Sequence, residues 1–135
     1  MGLIFLTSSF VITGGQLADV VGNALPGPDS RESFHQFWTW TWVLFVKGYH
    51  FFEFAVLFWL VRWGLAKSLP WSRPTVIAAA FAFAALFAIS DEWHQTFVPT
   101  RGGNWIDVLI DVAGITFAAW VTLASHRRKA AAARP

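Results

Sequence analysis

Long apolar runs are the strongest pattern in this chain. Phe34 to Leu65 stays apolar for longer than a membrane requires, interrupted by His35, Gln36, Lys47, His50, Glu53 and Arg62. Thr75 to Ile89 carries no charge and runs on through Asp91 to Val98. Trp105 to Ala124 is apolar apart from Asp107 and Asp111. A spanning helix needs about 20 mostly apolar residues, so each run predicts one. Leu3 to Ile12 is about half that length and predicts a short first span. It lacks the basic n-region and small-residue cleavage site of a signal peptide. Thr13 to Arg31 holds Gly14-Gly15 and Pro26-Gly27-Pro28, which read as turns, with a brief surface helix over Leu17 to Leu25. The fold class expected is an all-α integral membrane bundle of about four transmembrane helices, the first one short. Their expected ranges are about 2–13, 34–66, 75–97 and 104–125, in one domain over 1–135 with a basic tail at 126–135.

Composition agrees. The 135 residues are 56% hydrophobic and 13% charged, with nine Trp and fourteen Phe. Soluble domains carry roughly 25% charged residues. So much apolar bulk excludes disorder, a coiled coil, a nucleic-acid-binding domain and an ordinary soluble enzyme. The absence of cysteine excludes disulfides, thiolate metal sites and a Cys nucleophile.

The net charge of +2 matters less than where the charges fall. Arg62, Lys67 and Arg73 flank the connection between the second and third predicted helices. Arg127, Arg128, Lys129 and Arg134 follow the last one. The positive-inside rule places both groups in the cytoplasm, and two spans between them make the assignments consistent. The loop from Val98 to Asn104 is then outside. Trp38, Trp40, Trp42, Trp93 and Trp105 fall at the expected outer interface, and Trp59, Trp63, Trp71 and Trp120 at the inner one.

Ionisable groups inside spans are costly, at about 2.5–3.5 kcal/mol each near the centre, and here they cluster. Lys47, His50 and Glu53 stand three residues apart on one helix face. Asp91 stands three before His94 and four before Gln95, with Glu92 three before Gln95. Asp107 and Asp111 are four apart, with Asn104 a turn earlier and Arg101 in the preceding loop. The expected topology gathers all of these toward the outer half of the bilayer. Each has a plainer reading. Lys47 can snorkel to the interface, His50 can be an interior hydrogen-bonded histidine, and Asp107 suits a helix N-terminus. Arg101 can lock helices together through Asp91 and Asp107. The density of charge argues against a purely structural network, because apolar packing holds helices at lower cost. Gly102-Gly103 beside Arg101 allows a tight turn with exposed N–H groups, suited to a phosphate or carboxylate.

The run Ser90-Asp91-Glu92-Trp93-His94-Gln95-Thr96-Phe97-Val98-Pro99-Thr100-Arg101, followed by Asp107-Val108-Leu109-Ile110-Asp111-Val112-Ala113-Gly114, resembles the signature of the VanZ-like family. Lys47-Gly48-Tyr49-His50-Phe51-Phe52-Glu53-Phe54-Ala55 is similar to that family's earlier Lys/His stretch, and Ile4 to Ser9 to the end of its first helix. The resemblance runs from about residue 4 to 118. It departs from the family in its short first helix and in Asp111, where many members have Asn. The resemblance implies a small multi-span protein of the bacterial cytoplasmic membrane, linked to teicoplanin and lipoglycopeptide resistance. It implies no established reaction.

Three function classes follow. The first is a membrane protein that engages a lipid headgroup, a lipid-linked cell-wall precursor or a glycopeptide without turnover. Lys47, Gln95, Arg101, Asn104, Asp107 and Asp111 are its expected binding residues. The second is a hydrolase or transferase acting on a phosphate-containing or acyl lipid. Its candidate catalytic groups are His50, Glu53, Asp91, Glu92 and His94. The third is a proton-coupled transporter or flippase with Glu53 and His50 as its relay. The sequence requires no cofactor. The i, i+3 pairs His50/Glu53 and Asp91/His94 leave a divalent metal open. Membrane lipid is the expected partner, nucleic acid is not, and the sequence does not fix the oligomeric state.

Overall fold

The computed structural model describes residues 27–98 and 103–132, together with Asp19, Val21, Asn23 and Ala24. Among the described residues the chain forms three long helices. They are α1 (Pro28–Ser68), α2 (Arg73–Gln95) and α3 (Trp105–Ala132). All three are long and apolar enough to cross a membrane. The short first span expected over 2–13 lies outside the described residues. So does nearly all of the surface helix expected over Leu17 to Leu25, leaving three described spans where about four are expected.

The other boundaries differ from expectation for local reasons. α1 has 41 residues and starts at Pro28, six residues earlier than expected. Pro28 was read with its neighbours as turn chemistry. It stands at the start of the helix instead, where a missing N–H costs nothing and the fixed φ is already helical. At about 1.5 Å per residue α1 is roughly 60 Å long, about twice the hydrocarbon core. Its first half carries an aromatic ladder, Phe34–Trp38–Trp42–Phe45, with ring centroids 5.9 to 6.1 Å apart. α2 begins behind Ser72, whose hydroxyl accepts from the Thr75 N–H, the usual N-cap arrangement. α3 continues to Ala132, so Arg127, Arg128 and Lys129 of the expected tail are helical.

α1 and α3 run parallel. Lys47 meets Asp107, His50 meets Asp111 and Trp59 meets Thr122, a nearly constant register. α2 returns antiparallel and packs against both. Its Ala80, Ala84 and Ala88 are wholly buried at successive i, i+4 positions. Side chains this small let the helix axes approach closely, as they do inside membranes. Phe54, Phe58, Ile115 and Ala118 complete the core with them. The outward faces are apolar too: Leu44, Phe52, Leu60, Leu86, Leu109 and Trp120 are all exposed. Apolar exposure on every helix is the signature of a surface solvated by lipid. The chain is an integral membrane protein.

Candidate functional site

Eight of the polar side chains predicted to converge do so at one end of the bundle. α1 supplies Lys47, His50 and Glu53, α2 supplies Asp91, Glu92 and Gln95, and α3 supplies Asp107 and Asp111. Lys47 Nζ donates to Asp107 Oδ1, so this lysine is not simply snorkelling to an interface. One turn deeper, His50 Nδ1 lies 3.4 Å from Asp111 Oδ1. That separation is longer than a good hydrogen bond but within ion-pair range. The two pairs differ in depth. The Lys47 and Asp107 side chains are 32% and 17% exposed, those of His50 and Asp111 7% and 0%.

α2 contributes a second network. The Gln95 amide donates through Nε2 to Asp91 Oδ2 at 2.9 Å and to Glu92 Oε1 at 3.0 Å. One neutral amide thus holds two buried carboxylates together. Glu92 Oε2 accepts from the Asn104 backbone N–H at 2.8 Å, which ties the end of α2 to the start of α3. Asn104 in turn caps α3, its Oδ1 accepting from the Ile106 N–H at 3.0 Å. Asp91, Glu92, Gln95, His50 and Asp111 are all buried, as inward-facing charge on a lipid-solvated bundle requires. His50 of α1 faces Asp111 of α3, and Glu92 of α2 is bonded to the start of α3. The three helices therefore share one electrostatic site.

Two glycines make the geometry. A Cβ on Gly114 would overlap the backbone carbonyl of Phe51, the residue after His50. Only a glycine lets α3 come this close to α1, one turn from Asp111. A Cβ on Gly103 would meet the Glu92 backbone carbonyl and Thr96 Cγ2, so Gly103 itself lies close against the end of α2. Neither contact was read from the sequence, although Gly114 three residues after Asp111 sits in the quoted motif. Tyr49 was also missed. Its hydroxyl donates to Glu53 Oε1 at 3.0 Å, and the i, i+4 spacing is the signal that was there to find.

Other expected residues fall differently. His94 is half-buried on α2, one residue beyond exposed Trp93. Arg101, with Gly102, lies outside the described residues. Among the described residues no three of His, Asp and Glu converge in a metal-binding arrangement. Of the i, i+3 pairs, His50 faces Asp111 on α3, whereas Glu53 accepts from Tyr49 and Asp91 from Gln95 within their own helices.

Among the described residues five carboxylates thus gather near Lys47 and buried His50. Among the described residues nothing donates a hydrogen bond to Asp111 Oδ2. A fully buried carboxylate with an open lone pair is costly, and such groups concentrate where protons or ligands are handled. No curated protein and no solved structure matches the chain. The family model described as VanZ/LLP1 matches residues 1–126, nearly its full length. The chain that carries the paired Asp91-Glu92, the Gln95 that joins them and the Asp107/Asp111 face of α3 therefore belongs to the VanZ/LLP1 family.

Proposed function

We propose that this VanZ-family membrane protein acts at the cell envelope by binding a lipid headgroup, a lipid-linked cell-wall precursor or a glycopeptide. Binding takes place at the Lys47–Asp107 end of its helices and contributes to teicoplanin or lipoglycopeptide resistance. The supporting observation is the gradient of exposure through the polar cluster. The Lys47–Asp107 pair is accessible, whereas His50–Asp111 beneath it is closed off. An incoming phosphate or carboxylate can take Lys47 from Asp107. Asp107 tolerates the exchange because it stands in the first turn of α3, where the helix dipole favours a negative charge. Arg101 and Asn104 flank the same rim in sequence and supply further donors. The buried pairs below hold the helices in register.

This reading puts the site on the outer face of the cytoplasmic membrane. The basic residues gather at the opposite end of the helices, and that end belongs in the cytoplasm. Drugs of the teicoplanin class act on lipid-linked precursors at the outer surface, which fits a site opening there.

The His50–Asp111 pair supports a second reading, a membrane-embedded hydrolase or transferase on a phosphate-containing or acyl lipid. An imidazole held by a buried carboxylate is the usual arrangement of a general base and its orienting group. His50 would then move the proton, with Glu53, Asp91, Glu92 and His94 as further acid–base groups. Reconstitution with labelled lipid-linked phosphates and phospholipids, with and without divalent metal, separates the readings. Saturable binding without product supports the binder. Product that disappears in His50→Ala supports the enzyme. Absence of binding across the panel contradicts both.

A further inference from the structure

The two ends of the bundle are chemically opposite. The chain has no Asp or Glu between Glu53 and Asp91, and none after Asp111. Those same stretches hold Arg62, Lys67, Arg73, His126, Arg127, Arg128, Lys129 and Arg134. Parallel α1 and α3 with a returning α2 bring the end of α1, the start of α2 and the end of α3 together. At that junction Arg62, Arg73 and His126 line a cavity of about 220 Å³. Trp71 also lines it, and Val76 and Ile77 give it apolar walls.

Arg62 is the telling residue. Its Nε is buried and finds no hydrogen-bond acceptor among the described residues. A guanidinium partly withdrawn from water needs an anion or a carbonyl against it, and leaving a buried donor unmet is costly. No side-chain carboxylate of this half of the sequence can answer it, because there is none. Lys67 is turned to the Trp63 ring, 4.4 Å from its centroid. Arg127, Arg128 and Lys129 are exposed on α3 and serve as ordinary topology signals. Arg62 differs from them in lining a cavity with a second guanidinium and an imidazole.

We infer that this cavity binds the phosphate group of an anionic membrane lipid. Guanidinium forks match phosphate oxygens two at a time, which a water-filled pocket of mixed donors does not require. Trp59, Trp63, Trp71 and Trp120 flank the same level of the helices, where indole rings anchor at the headgroup boundary. A lipid seated there lays its glycerol against Trp71 and the start of its acyl chains along Val76 and Ile77. Basic pockets between membrane helices are known to hold anionic headgroups. The site is separate from the carboxylate-rich cluster at the other end, and its occupancy does not depend on what that cluster binds.

The test uses the purified full chain in neutral detergent, titrated with short-chain phosphatidylglycerol, phosphatidylcholine or inorganic phosphate, and read by native mass spectrometry and thermal shift. Detergent removes the surface potential that would draw any basic segment to an anionic bilayer. Retention of one phosphatidylglycerol and not of phosphatidylcholine is expected. Arg73→Gln, at an exposed position that leaves the packing alone, should weaken it by about tenfold. Arg62→Gln should do at least as much. Arg127→Gln removes the same charge outside the cavity and should change binding by no more than about twofold. Equal losses in Arg73→Gln and Arg127→Gln, or equal retention of phosphatidylcholine, would overturn the inference. Displacement by millimolar inorganic phosphate would overturn the lipid as ligand and leave a free-anion pocket.

Discussion

Gly114 lies directly against the backbone of Phe51, and this contact sets the distance at which His50 and Asp111 meet. Nothing larger than hydrogen fits, so the parallel packing of α1 and α3 and the geometry of the buried pair are one feature. Gly114→Ala should lower thermal stability in detergent by about 1–3 kcal/mol, the range for overpacking a tight contact. Gly48→Ala and Gly64→Ala meet nothing within 4 Å and should be neutral or slightly stabilising. Differential scanning fluorimetry of the three variants checks the contrast.

Removing one partner of the His50–Asp111 pair leaves the other buried alone. His50→Ala should therefore cost about 3–5 kcal/mol, the range for breaking a buried ion pair. Asp111→Asn should cost less, since the neutral amide keeps a hydrogen-bonding group beside His50. Joint replacement by His50→Leu and Asp111→Leu should recover much of the loss, because no charge remains to be solvated. Unfolding measurements on the His50→Leu and Asp111→Leu singles and on their double give the coupling directly. Additive losses would show that the two side chains do not form a pair.

Gln95 stands between two carboxylates as a shared donor. Gln95→Leu leaves Asp91 and Glu92 facing each other without it and should destabilise by about 1–3 kcal/mol, the cost of unmet buried polar groups. Combining Gln95→Leu with Asp91→Asn should restore part of this, as one negative charge is gone. Thermal unfolding of the pair of variants measures it.

The sequence foretold some of this and not the rest, for physical reasons. α2 was legible because Thr75 to Ile89 is an uninterrupted apolar run with no competing reading. The start of α1 was not, because proline before a helix and proline in a turn look alike until the chain direction is known. The level of the polar cluster was legible from helix counting. Its pairings were not, because Asp91, Glu92, Asp107 and Asp111 all lie within reach of that level, and only the register of α1 on α3 picks Asp107 for Lys47. That register rests on Gly114, whose role exists only in contact with another helix. Arg62 and Arg73 were legible as topology signals, but the cavity between them belongs to the tertiary arrangement alone.

The orientation proposed here rests on the basic residues, and the chain has no native cysteine to interfere with labelling. Pro99→Cys should react with an impermeant maleimide in intact cells. Ser68→Cys and Ala131→Cys should react only after the membrane is opened. Labelling of Ser68→Cys from outside would invert the topology and place the carboxylate-rich end in the cytoplasm.

The most direct measurement compares ligand binding with stability in the same Lys47→Gln sample. Lys47 is an accessible cation of the rim and pairs with Asp107 at the first turn of α3. Binding of a lipid-linked cell-wall precursor to the reconstituted protein is measured by titration, and unfolding by thermal shift. If the rim is a binding site, affinity falls by about tenfold, ~1.4 kcal/mol, while the unfolding temperature stays near that of the parent chain. A marked drop in unfolding temperature with undiminished affinity of the folded fraction would contradict the proposal and make the Lys47–Asp107 pair a fastener between helices.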